Sequence, residues 1–97
     1  MELIQVGEKT YYIKNPTNIG IYRTDDHNVY LIDSGNDKDA GRKILKIINE
    51  QGWKVKGIIN THSNADHIGG NKIIADRTGC DIYAYGMEQS FTQHTLL

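Results

Sequence analysis

The apolar residues of this chain first change their spacing near residue 36, and that change restricts the fold more than any composition figure does. Before it, short β-prone runs alternate apolar and polar residues, the period of two that turns one strand face toward a core. The runs give strands over residues 2–6, 10–15, 18–24 and 28–33. "VGEKTYY" offers a Gly-containing hairpin turn and "TDDHN" a second turn rich in Asp and Asn, residues whose side chains bond nearby backbone in turns. Pro16 has no N–H to give a ladder, so it separates the second strand from the third. Four successive strands at this spacing form an antiparallel meander.

After the change, Ala40, Ile44, Leu45, Ile47 and Ile48 recur at helical spacing, with Asp37 or Asp39 to cap the start and Gly52 the end, which gives a helix over residues 38–51. "KVKGIIN" reads as a buried strand, "GGNKIIADRTG" as a short helix closed by Gly79, "DIYAY" as another strand, and "MEQSFTQHTLL" begins as a helix. A meander followed by strand–helix alternation is an α/β (α+β) layer arrangement, a mixed sheet with helices on one face. Such a sheet keeps a second apolar face, for which little sequence is left as cover. With 97 residues and 38% hydrophobic content, the expectation is one domain over residues 1–97, itself incomplete.

Lysine and arginine number 11 against 12 acidic residues, a net charge of -1 without a long block of one sign. That balance speaks against a nucleic-acid backbone or an anionic membrane as the main partner. The tyrosines of "KTYYIK" and "IYRT" are expected to pack a sheet rather than stack on bases. Cys80 is the only cysteine, which excludes an internal disulfide or a Cys-x-x-Cys pair and suits a reducing, cytoplasmic compartment. No basic segment followed by a long apolar run stands at the N-terminus, so neither a signal peptide nor a membrane span is expected.

Chemistry concentrates in "THSNADHIGGN", residues 61–71, as His62-x-Asn64-x-Asp66-His67 between a strand ending near Asn60 and a helix starting near Gly69. Imidazole and carboxylate are donors that zinc and iron accept, and a loop lets them converge from several directions. The two glycines allow close backbone approach, and a helix start offers free N–H groups to anions. His27, in a turn, and His94, in a polar tail, read as solvated, and Cys80 as a small buried hydrophobe. Ser34 and Ser63 lie in no Gly-x-Ser-x-Gly elbow and are not taken as nucleophiles.

"GIINTHSNADHIGGN" resembles the signature of the metallo-β-lactamase superfamily, His-x-His-x-Asp-His after a strand and commonly followed by Gly-Gly, and "YLIDSG" is similar to that family's aspartate-ended strand. The resemblance covers nearly the whole chain and implies the N-terminal half of an αββα sandwich. It implies that His62 binds one metal ion while Asp66 and His67 bind the other, with zinc the expected ion and iron found in some relatives. Asn64 occupies the second histidine's position, where its neutral oxygen is a poor substitute for imidazole at zinc.

The same resemblance implies catalysis by metal-activated water, in which Asp66 orients the nucleophile or shuttles a proton and Asp33 steadies a ligand or the ligand loop. Substrates would be small molecules carrying an ester, thioester, amide or phosphodiester bond. Further ligands in the family come from a second αβ half, so the chain alone is expected to have weak activity or none. Its expected partner is that C-terminal half or a second copy in a homo-oligomer. Two other readings stay open: a non-catalytic interaction or dimerisation module that uses the uncovered sheet face, and an iron-dependent redox relative.

Overall fold

The computed structural model describes residues 1–61, 68–84 and 95–96. Four strands, β1 (Glu2–Gln5), β2 (Thr10–Lys14), β3 (Ile19–Arg23) and β4 (Asn28–Ile32), precede helix α1 (Lys38–Glu50). Strand β5 (Lys54–Ile59), helix α2 (Asn71–Thr78), strand β6 (Asp81–Ala84) and the short strand β7 (Thr95–Leu96) follow. Each expected strand of the meander, and α1, lies within a residue of its place in the sequence reading. The helix expected to begin at "MEQSF" lies outside the described residues, but the end of that segment, Thr95–Leu96, is strand and not helix.

The seven strands described form one sheet in sequence order. β1 to β4 pair antiparallel, and β4, β5, β6 and β7 pair parallel. The switch has a simple cause. Turns of a few residues join the first four strands, as in the loop where the Asp25 carboxylate accepts bonds from the His27 and Asn28 N–H groups at 2.8 and 2.9 Å. A parallel neighbour instead needs a crossover, which α1 supplies between β4 and β5 and α2 between β5 and β6.

One face of the sheet carries the core. Ile13, Ile19, Ile21, Val29, Leu31, Val55 and Ile58 pack there with Ile44, Leu45 and Ile48 of α1 and Ile74 of α2. Asp37 caps α1, its carboxylate accepting the Ala40 N–H at 2.7 Å, which decides between the two candidate caps. Gly79 closes α2 in the left-handed conformation at φ 71°.

The intervening residues face the other way. Tyr12 pairs with Gly20, Gly20 with Ile32, Tyr22 with Tyr30, Tyr30 with Gly57, and Ile32 with Ile59. Tyr22 is 47% and Ile32 37% exposed, so this face is apolar without being covered by a helix of the described residues. Gly57 sits between two rings: a Cβ there would lie 2.8 Å from Tyr30 and 2.9 Å from Tyr83. Among the described residues, no helix is long and apolar enough to cross a membrane.

Candidate functional site

β4 and β5 run side by side and end at the same edge of the sheet. Asp33, the first residue beyond β4, keeps the ladder by donating its N–H to the Ile59 carbonyl at 2.8 Å. Its backbone then turns into the left-handed region at φ 68°, which costs an aspartate less than most residues. The side chain, 5% exposed, faces the end of β5. One carboxylate oxygen accepts the Thr61 N–H at 2.8 Å and the other the Thr61 hydroxyl at 2.6 Å. Thr61 is the residue before His62. A buried carboxylate thus grips the chain by two hydrogen bonds at the point where the motif starts.

A second set of contacts lies beside it. The Ser34 hydroxyl donates to Asn71 Oδ1 at 2.6 Å, Asn60 Nδ2 donates to the same oxygen at 3.2 Å, and Asn71 Nδ2 donates to Asn60 Oδ1 at 2.7 Å. The two glycines act here through their lack of bulk. Gly69 donates its N–H to the Gly35 carbonyl at 2.8 Å. A Cβ on Gly70 would overlap the Ser34 carbonyl oxygen and stand 2.9 Å from the Gly41 Cα of α1. The start of α2 therefore lies directly on the turn after β4 and on α1.

His62, Asn64, Asp66 and His67 lie outside the described residues, as do Ser63 and His94. Among the described residues, no group of three or more His, Cys, Asp or Glu side chains could hold a metal ion. What the structure brings together is the surround of the motif: Asp33 at its entry, and Ser34, Asn60 and Asn71 across both ends. The sequence marks Asp33 for such a role, whereas Ser34 stands there only as a rejected nucleophile, Asn60 only as a strand end, and Asn71 carries no expectation. Their signal was the asparagine that stands on each side of the loop, in "IIN" and in "GGN".

The remaining candidates take ordinary places. Ser34 is fully buried and donates to Asn71, so its hydroxyl serves a neighbour. His27 is exposed in its turn. Cys80 packs against the core cluster, and burial pushes its thiol above the usual cysteine range, the opposite of what a reactive thiolate needs.

Comparison with known proteins adds a family context to this geometry. Residues 12–96 match the Metallo-beta-lactamase superfamily. The hydroxyacylglutathione hydrolase of Erythrobacter litoralis is 42% identical over 48 residues, 50% of this chain and 19% of that protein. The enzyme of the same name from Methylococcus capsulatus is 31% identical over 65 residues, 60% of this chain and 25% of that protein. A subclass B3 metallo-beta-lactamase isolated from a soil metagenome library superposes with a TM-score of 0.82 at 26% identity, over 93% of this chain and 35% of that one. A subclass B3 enzyme of Bradyrhizobium japonicum gives 0.79, also at 26% identity and over 93% and 35%. The matched region thus spans a fifth to a quarter of these curated relatives and about a third of the solved chains.

Proposed function

This chain belongs to the metallo-beta-lactamase superfamily, and we propose that it supplies the first αβ layer, and part of the metal site, of a zinc-dependent hydrolase acting on a small acyl thioester. The observation that carries the reading is the pair of bonds that Thr61 donates to Asp33, which hold the chain at the entry to His62-x-Asn64-x-Asp66-His67. Thioester chemistry is drawn from the curated relatives, which are hydroxyacylglutathione hydrolases.

The donor set agrees with zinc in kind and falls short in number. His62, Asp66 and His67 offer imidazole and carboxylate, while Asn64 stands in an imidazole position. A full shell then takes water and donors from outside these residues, either from a further αβ layer or from a second chain. When bound, the metal brings the pKa of a coordinated water to about 7 and polarises the carbonyl under attack. With the metal in place, Asp66 would orient the attacking water or shuttle a proton, and Asp33 would act through Thr61 to steady the start of the loop.

Zinc titration by calorimetry on the full chain, paired with His62→Ala, tests the reading. Weak binding that His62→Ala abolishes is expected, together with little or no hydrolysis of a hydroxyacylglutathione by the chain alone. Equal zinc binding by both proteins would remove the motif from the site. A second reading, an interaction module, is favoured by one observation only, the exposed Tyr22 and Ile32 on the open sheet face.

A further inference from the structure

Ser34, Asn60 and Asn71 are the most deeply buried polar side chains among the described residues, at 0%, 1% and 3% exposure. Amide and hydroxyl groups so far from water cost about 1–3 kcal/mol each when unbonded, so the bonds among the three are obligatory. Obligatory bonding does not explain why polar groups stand there, because apolar side chains of similar size could fill the same space.

Their place in the chain does. Asn60 is the last residue before the excursion that carries the motif and Asn71 the first after it, and their amides bond each other reciprocally at 2.7 and 3.2 Å. Ser34 ties the pair to the turn after β4 at 2.6 Å. An apolar contact would let the two ends slide, whereas two opposed amide bonds fix separation and orientation together. His62 follows Asn60 by two positions and His67 precedes Asn71 by four. We infer that the Asn60–Asn71 amide pair, anchored by Ser34, is a positioning clamp that sets the distance between the two ends of the metal-binding loop. As a statement about metal affinity this rests on the function proposed above; as a statement about the loop ends it does not.

The test replaces the network whole, Ser34→Ala with Asn60→Leu and Asn71→Leu, so that no buried polar group is orphaned. Amide hydrogen exchange and zinc calorimetry are then run on the full chain. The expected result is exchange at least roughly tenfold faster at the Thr61 and Gly69 N–H groups, with Leu31 and Ile58 unchanged. Zinc binding is expected to weaken about 10–100-fold, as when groups that orient ligands are removed. Unaltered exchange at Thr61 and Gly69 in a folded triple variant would overturn the clamp. Should the parent chain bind no zinc, the proposed function fails while exchange still decides the inference. Should the triple variant not fold, Ser34→Ala alone decides it: exchange at Gly69 should rise by roughly two- to fivefold, and an unchanged rate overturns the clamp.

Discussion

Asp33 shows how much one side chain can be asked to do. It is buried, it holds a left-handed backbone angle, and it accepts two bonds from Thr61. Asp33→Ala removes the two bonds that Thr61 donates to the carboxylate and places a less tolerant residue at positive φ. It should cost about 2–4 kcal/mol in urea unfolding. Asp33→Asn, which keeps one acceptor and the backbone tolerance, should cost visibly less. A neutral Asp33→Ala would mean the grip on Thr61 carries no stability. At Asn64 the expectation runs the other way: Asn64→His restores an imidazole donor and should tighten zinc on the order of tenfold in calorimetry. Failure to tighten would mean that position 64 does not reach the metal. Of these residues, Asp33 was legible because it places a charge at the end of an apolar strand, while the motif, conspicuous for imidazole and carboxylate before two glycines, lies outside the described residues. Ser34, Asn60 and Asn71 were not legible, since neutral polar residues at strand ends are commonplace and only their mutual burial sets them apart.

At the level of elements, the turn after β4, the start of α1 and the start of α2 meet around two glycines. Gly70→Ala would drive a methyl group into the Ser34 carbonyl and against Gly41 of α1. A loss of about 1–3 kcal/mol or more is expected, with α2 displaced from α1. Asp37→Ala removes the cap of α1 and should cost about 1 kcal/mol; thermal unfolding separates the two, because overpacking at Gly70 should lower the midpoint more. Strands β1 to β6 and both helices were readable in the sequence to within about two residues, since each has a clean period and a Gly, Pro or Asp at its border, whereas β7 was not, its segment having helical signals at its start. The contact between the two helix starts was not readable. "GG" before a helix announces close approach but not the partner, and Gly41 looks like a helix-weakening residue until Ile73 and Gly70 are seen to occupy the space a Cβ would take.

For the whole molecule, the asymmetry of the sheet matters most. One face is filled by α1 and α2, while the other presents Tyr12, Tyr22, Tyr30, Ile32, Ile59 and Tyr83 with few polar groups between them. Apolar surface left in water forgoes about 25 cal/mol per Å², so the full chain should self-associate at micromolar concentration. Ile32→Lys with Tyr22→Lys should return it toward a monomer, as read by light scattering. A wild-type chain that stays monomeric and well folded would sink this expectation. The sheet also has a direction in time. Its antiparallel strands close over short turns and can pair early, but β4 and β5 meet only after the whole of α1 has been spanned, a larger entropic cost of loop closure. Asp33 has no Thr61 to hold until that late pairing is made. A nascent chain with a finished meander therefore carries no clasp on the residue before His62, and that clasp arrives only with the parallel half of the sheet.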